Sequence, residues 1–176
     1  MQLPGTIWTI GHSTRSLEEF LELLMENRIE ALADVRRYPG SRKFPHFNAE
    51  ALAQSLRAAG IEYEPFLELG GRRKPRADSP HTVWRNAAFR AYADYMDTVE
   101  FHVGIERLSM LAHRKPTAIM CSEAVWWRCH RRMISDWFKA HGVRVLHIMG
   151  PGNVTEHPWT KTARRDNGEL DYDVKA

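Results

Sequence analysis

The residues best suited to chemistry lie in the segment from Cys121 to Arg131, which reads CSEAVWWRCHR. Cys121 directly follows an apolar run, and arginines beside a helix N-terminus lower the pKa of a thiol, so Cys121 is predicted as a thiolate nucleophile. Its alternative role is that of a small buried hydrophobe. Glu123 and His130 are the candidate general acid and base, with a helix-capping carboxylate and a structural histidine as the alternatives.

A second cysteine in the segment, Cys129, leaves two other interpretations open. Cys129 and His130, together with Cys121 or Glu123, could bind zinc, although the sequence has neither a Cys-x-x-Cys nor a His-x-x-x-His spacing. The two cysteines could instead form a reversible disulfide. Because neither pattern is specific, no metal site is predicted and the cofactor stays unknown.

Basic residues gather in short runs, whereas acidic residues are spread along the amphipathic segments. The formal net charge is only +3, so their distribution rather than their number favours a locally positive surface. Forked guanidinium donors suit phosphate oxygens. The predicted anion-binding residues are His12, Ser13, Arg36, Arg37, Arg42, Arg72, Arg73 and Arg131. For any single arginine, a solvated charged surface is the alternative.

Aromatic residues interleave with these charges. They are Tyr38, Phe44, Phe47, Trp126 and Trp127. Such side chains can stack on nucleic-acid bases, and they can equally serve as packing anchors.

Hydrophobic periodicity predicts the elements that position these residues. Short apolar runs indicate strands at residues 6–10, 31–35, 61–66, 117–120 and 143–148. Helical spacing indicates helices at 16–27, 49–59, 87–96, 100–113 and 133–141, the first with a Ser16 and Glu19 capping box. The alternation predicts an α/β fold, with a mainly parallel five-stranded sheet and helices on both faces. Residues 1–150 form this single domain, and 151–176 are expected to be a polar, loosely attached tail.

Four loops are expected to converge on one site. In open parallel sheets, ligands bind beyond the carboxyl ends of the strands. The loops at 11–15, 36–47, 70–74 and 121–129 follow predicted strands and are the richest in Arg, His and Cys. Helix N-termini at the same edge add backbone donors, so the sequence predicts a site for phosphate or carboxylate.

The composition indicates a cytoplasmic protein without membrane partners. The chain has no basic-then-apolar leader and no run of about 18 apolar residues, so neither a signal peptide nor a membrane span is expected. Two cysteines are too few for a secreted disulfide scaffold.

Four motifs in order carry a resemblance to a known family. They are TIGHST at 9–14, DVRRYPGSR at 34–42, LGGR at 69–72, and CSE at 121–123 with CHR at 129–131. With these motifs the chain closely resembles the bacterial and archaeal family catalogued as domain of unknown function 488, from about Thr6 to Ile148. The resemblance implies a small cytosolic α/β domain and highlights the motif positions, but it implies no established reaction.

The leading functional hypothesis is an enzyme that acts on a nucleotide or nucleic acid. Arginines would bind the phosphate while Cys121, Glu123 or His130 performs the chemistry. The alternatives are a non-catalytic nucleic-acid-binding module and a thiol- or metal-dependent sensor. The sequence predicts neither the substrate nor the oligomeric state.

Overall fold

The computed structural model describes residues 1–40, 42–82, 84–160, 164–166 and 169–172. The main sheet contains β1 (Thr6–Gly11), β2 (Ala31–Asp34), β3 (Glu62–Pro65), β4 (Thr117–Cys121), β5 (Arg144–Gly150) and β6 (Asn153–Glu156). The helices are α1 (Leu17–Glu26), α2 (Ala49–Ala58), α3 (Ala87–Tyr95), α4 (Val99–Arg114) and α5 (Arg131–Ala140). A separate short pair is formed by β7 (Arg164–Asp166) and β8 (Glu169–Asp171). None of the helices in these ranges is long and apolar enough to cross a membrane.

The strand order of the main sheet is β3-β2-β4-β1-β5-β6. The first five strands are parallel, and β6 runs antiparallel to β5. The predicted α/β fold with a mainly parallel sheet is confirmed, but the predicted count of five strands omits β6. All four residues of β6 are exposed at the edge of the sheet, so this strand carries no buried apolar face that would reveal it in the sequence.

Helices cover both faces of the sheet, as predicted. Side chains alternate along β1, so Ile7 packs in the core beneath α4 and α5 while Ile10 packs in the core beneath α1 and α2. The predicted capping box starts α1, because the Ser16 hydroxyl accepts from the Glu19 N–H and the Glu19 carboxylate accepts from the Ser16 N–H. Local sequence and burial therefore agree along this part of the chain.

The site is positioned by the adjacent strands β1 and β4. After β1 the chain passes through α1 to β2, towards the β3 edge of the sheet, whereas after β4 it passes through α5 to β5, towards the other edge. A crevice forms where connections from neighbouring strands diverge in this way. Across it, the His12 N–H donates to the Cys121 carbonyl at 2.9 Å. A Cβ on Gly11 would overlap the Glu123 carbonyl oxygen, so glycine permits this close approach.

The chain after residue 150 is more closely integrated than a loosely attached tail. Beyond β6, His157 and Thr160 are buried, and so is Tyr172. The polarity of this segment suggests exposure, but its buried polar groups are hydrogen-bonded to Asp136 or to other buried side chains. Residues 161–163, 167–168 and 173–176 of the predicted tail lie outside the described residues.

Candidate active site

The four predicted loops meet at one cleft of about 670 Å³ beyond the carboxyl ends of the strands. Helix α3 adds a wall through Ala88, Phe89 and Tyr92. Most of the predicted site residues line this cleft: His12, Ser13, Arg36, Arg37, Arg42, Arg72, Cys121, Glu123 and His130. The topology therefore brings together residues that are more than 100 positions apart in sequence.

Two predicted anion-binding arginines do not line the cleft. Arg73 donates to the carbonyls of Gly70 and Leu67, and its guanidinium lies 3.8 Å from the centre of the Tyr95 ring. Arg131 is 1% exposed, so a ligand in the cleft does not reach it directly.

Arg131 instead holds the floor of the cleft together. Its Nε donates to Cys121 Sγ at 3.0 Å, its Nη1 to Thr9 Oγ1 at 3.1 Å and its Nη2 to the Glu123 carbonyl at 2.8 Å. A buried guanidinium with these partners stabilises negative charge on the sulfur.

Cys121 and Cys129 form a reduced pair in that floor. Their Sγ atoms lie 2.9 Å apart, and both cysteines are free, whereas a disulfide bond would require about 2.05 Å. At this separation one sulfur donates its proton to the other. The two sulfurs therefore titrate as a coupled pair, in which the pKa of each depends on the charge of the other.

Within this pair the structure favours Cys129 as the thiolate. Burial raises the pKa of Cys121, and the adjacent Cys129 raises it further. Burial also acts to raise the pKa of Cys129, but hydrogen bonds from Cys121 and His130, with Arg131 nearby, bring it well below its usual value. The Arg131 N–H at the start of α5 also approaches Cys129 Sγ, at 3.4 Å, where the helix dipole favours an anion.

The sequence predicts Cys121 as the nucleophile, because it follows a strand directly. In the structure that position is 3% exposed, whereas Cys129 is half-buried and lies next to the N-terminus of α5. The sequence alone favours a metal ligand or a disulfide partner as the role of Cys129 and does not single it out as the nucleophile. The motif CHR at 129–131 is the signal in the sequence that points to Cys129, because it places a thiol shortly before the helix predicted at 133–141.

His130 is oriented by a backbone group. Its Nε2 donates to the Val35 carbonyl at 2.8 Å, so its Nδ1 is the nitrogen left for other partners. Nδ1 faces Gly71, where an added Cβ would lie 3.0 Å from it. The adjacent His130 side chain is also one of the causes that lower the pKa of Cys129. A thiol, a neighbouring histidine and a carbonyl that orients the histidine are thus assembled.

The Glu123 side chain is exposed at the cleft. Its backbone carbonyl has a structural part, because it accepts from Arg131 Nη2. A general acid or base role for the Glu123 carboxylate stays a prediction.

Arg36 and His12 form the wall between the loops after β1 and β2. Arg36 makes a two-point ion pair with Asp34, at 2.9 and 2.7 Å, and Tyr63 donates to the same carboxylate. The remaining Arg36 nitrogen, Nη1, lies 3.5 Å from His12 Nε2. Burial lowers the pKa of His12, and Arg36 contributes to the decrease. His12 is therefore a neutral acceptor at physiological pH.

The rim of the cleft is strongly basic. Arg37 Nη1 donates to the Arg72 carbonyl at 2.9 Å, and both guanidinium groups lie within 6 Å of the Tyr38 ring centre, at 5.5 and 5.7 Å. Six Arg or Lys side chains line the cleft against one carboxylate, that of Glu123. The six are Arg36, Arg37, Arg42, Lys43, Arg72 and Arg128. Such an excess of cations favours an anionic ligand.

The aromatic residues divide into lining and packing groups. Tyr38 and Phe44 line the cleft. Phe47 is fully buried and stacks on His12, while Trp126 stacks on His147 with ring centres 4.6 Å apart. Trp127 is 44% exposed and lies outside the cleft lining.

Sequence reasoning missed Phe89 and Tyr92, which α3 brings to the cleft. Both lie in a helical stretch outside the motifs, so no local signal pointed to them. In the described part of the chain, no group of three or more His, Cys, Asp or Glu is arranged to hold a metal ion.

The sequence matches a known protein family. The family model described as "Domain of unknown function DUF488" matches residues 16–138. This range includes the arginine loops and both cysteines, but not β1 or the chain after α5. Neither a curated protein nor a solved structure matches the chain.

Proposed function

The chain belongs to the DUF488 family, and we propose that it is a cysteine-dependent enzyme acting on a phosphate-bearing ligand, a nucleotide or a nucleic acid. One observation carries this proposal. Two cysteine sulfurs 2.9 Å apart lie in the floor of a cleft that six basic side chains line. The matched range contains all six of these basic residues and both cysteines.

The sulfur pair supplies the nucleophile. Cys129 forms a bond to the electrophilic centre of the ligand, and the bond from that centre to its leaving group breaks. His130, held by Val35, lies beside the reacting sulfur. The lowered pKa of Cys129 favours the thiolate, the form of cysteine that attacks.

The cleft lining favours a nucleotide over a simple anion. Guanidinium groups of Arg37 and Arg72 flank the exposed Tyr38 at the rim, while Phe44 and Phe89 offer apolar surface further along the cleft. Phosphate oxygens suit the arginines, and a base can stack on the aromatic rings. We therefore place the phosphate at the basic rim, with the base against the aromatic wall.

Anion binding is testable through protection of Cys129. Pyrophosphate, a mononucleotide or a single-stranded oligonucleotide should slow the alkylation of Cys129 by iodoacetamide, about tenfold at ten times the dissociation constant. Mass spectrometry of the labelled peptide measures the rate. An oligonucleotide that protects at much lower concentration than the mononucleotide, and does so less well in high salt, would assign nucleic acid as the ligand.

Two arginine variants provide the comparison. The double variant Arg37→Ala/Arg72→Ala should need about tenfold more anion for the same protection, since charge-assisted hydrogen bonds are lost. Arg57→Ala removes an exposed arginine of α2 that does not line the cleft. In this variant each anion should protect Cys129 at the same concentration as in the unmodified chain. Alkylation that none of the three anions slows would contradict the proposal.

A thiol sensor is a second candidate, which the 2.9 Å contact between the sulfurs favours. The Cys129 thiolate would attack hydrogen peroxide to give a sulfenic acid and hydroxide. Cys121 would then attack the sulfenic sulfur, forming a disulfide and releasing water. In the cytoplasm the pair would otherwise stay reduced.

Mild peroxide treatment tests this candidate. Sub-millimolar peroxide should remove both free thiols of a chain together, and a reductant should restore them, as a thiol count with an aromatic disulfide reagent shows. In Cys121→Ser the oxidation should stop at a sulfenic acid that dimedone labels. Two thiols that survive the treatment would exclude the sensor role.

A further inference from the structure

A chain of buried hydrogen bonds leads away from the sulfur pair through the interior of the protein. It continues from Arg131 through a set of residues that we name the buried relay: Thr9, His147, His157 and Asp136. Each of them is at most 1% exposed. Neither the family match nor the proposed chemistry assigns them a role, and polar groups buried to this extent require a reason.

The contacts of the buried relay are short. Arg131 Nη1 lies 3.1 Å from Thr9 Oγ1, which lies 2.5 Å from His147 Nδ1. His147 Nε2 lies 2.8 Å from His157 Nδ1, and His157 Nε2 lies 2.7 Å from Asp136 Oδ1. Every step is within hydrogen-bonding distance.

One assignment of protons uses every donor of the relay. Arg131 can only donate, so Thr9 accepts from it and donates its own hydroxyl proton to His147 Nδ1. His147 then carries its proton on Nε2 and donates to His157. His157 donates from Nε2 to the Asp136 carboxylate. All four hydrogen bonds therefore point in the same direction, from the guanidinium to the carboxylate.

The relay joins two buried opposite charges that do not touch. Arg131 and Asp136 lie five residues apart on α5, a spacing that puts them on different sides of the helix. Asp136 also accepts from Thr160 and Tyr172, each at 2.6 Å. The far end of the relay is thereby fixed by the chain that follows β6.

His147 does not change its protonation state in the physiological pH range, so the hydrogen bonds that it makes in the buried relay stay the same. Burial, the adjacent His157 and the charge of Arg131 lower the pKa of His147 to about 2. It is therefore neutral throughout the physiological range, so one of its ring nitrogens donates and the other accepts. The Trp126 ring stacks on it at 4.6 Å and 8°, which helps to exclude water.

We propose that the buried relay positions the Arg131 guanidinium against the sulfur pair, so that the C-terminal segment helps to keep Cys129 ionised. This inference rests on the proposed function, since it concerns the same thiolate. The relay residues are positioning residues, because none of them touches the cleft. Thr9, His147 and His157 lie outside the matched range 16–138, so residues beyond that range complete the site.

Other titratable groups also face the Cys129 sulfur. They are Cys121 from β4, Tyr92 from α3, and His130 and Arg131 at the start of α5. Of these groups, only Arg131 is hydrogen-bonded to the buried relay. A variant that breaks the relay therefore changes the effect of Arg131 on the pKa of Cys129 and leaves the effects of the other groups in place.

Thr9→Val in the chain of residues 1–176 tests the inference. Valine keeps the branched shape in β1 and removes the one hydroxyl that links Arg131 to His147. The midpoint of the alkylation–pH profile of Cys129 should move to higher pH. Between the two midpoints, the variant should react about tenfold more slowly, the factor expected from one charge-assisted hydrogen bond. Tyr172→Phe should move the midpoint in the same direction but less.

Thr117→Val is the matched control. Thr117 is equally buried in β4, but its hydroxyl donates to the Lys115 carbonyl at the opposite end of the strand. This variant should lose similar stability without moving the midpoint. An unmoved midpoint in Thr9→Val, or an equal shift in Thr117→Val, would overturn the inference. If circular dichroism shows Thr9→Val unfolded, Tyr172→Phe decides in the same way.

The unmodified chain separates failure of the relay from failure of the proposed function. An ordinary thiol profile in that chain would overturn both. A low midpoint in the unmodified chain that Thr9→Val leaves unchanged would overturn the relay alone.

Discussion

Replacing Cys129 with serine should abolish alkylation at mildly acidic pH and lower any turnover of a nucleotide or nucleic acid at least about a thousandfold, the scale on which enzymes lose a nucleophile. Cys121→Ser should keep a reactive Cys129, because the serine hydroxyl can still donate a hydrogen bond to that thiolate. The opposite result, with Cys121 essential and Cys129 dispensable, would restore the nucleophile that the sequence predicts.

The direction in which alkylation changes with pH follows from the directions of the pKa shifts of Cys129 and Cys121. The pKa of Cys129 is lowered by hydrogen bonds from Cys121 and His130, which outweigh burial, so its alkylation should persist as the pH falls below the usual thiol range. The pKa of Cys121 is raised by burial and by Cys129, so Cys121 should react only at high pH. Rates for each labelled peptide as a function of pH measure both.

The sequence was sufficient to predict the elements that carry the cleft. Apolar runs located β1 to β5 within a few residues, and the Ser16 capping box identified the start of α1. The rule that ligands bind at the carboxyl ends of parallel strands then grouped the four loops. Local signals sufficed here because each depends on a backbone preference or on one buried face.

The charge state of the two sulfurs could not be predicted from the sequence, because it depends on contacts between residues that are far apart along the chain. The type and the neighbours of Arg131 predict a phosphate ligand, whereas in the structure Arg131 is buried and donates to Cys121 Sγ. The relay was invisible for the same reason, since Thr9 and His147 are 138 residues apart. The polar C-terminal segment has no apolar pattern that would predict burial, although its His157 is buried in the interior.

Arg131→Met should have the second large effect. Methionine fills much of the volume but removes the donors to Cys121, Thr9 and the Glu123 carbonyl. Removing one partner from a buried charged cluster costs about 3 kcal/mol or more, so the free energy of unfolding from urea titration should fall by that amount. Alkylation of Cys129 should shift towards the ordinary thiol range, because the nearby cation is gone.

Two comparisons distinguish the charge of Arg131 from its shape. Arg131→Lys retains the cation but not the planar fork that reaches Cys121, Thr9 and Glu123 together, so its alkylation profile should lie between those of the unmodified chain and Arg131→Met. Arg107→Met removes an arginine that is 40% exposed on α4 and paired with carboxylates there, and it should cost less than about 1 kcal/mol. If Arg131→Met kept the acidic alkylation, the α5 N-terminus and His130 would suffice for the thiolate, and the guanidinium would have only a packing role.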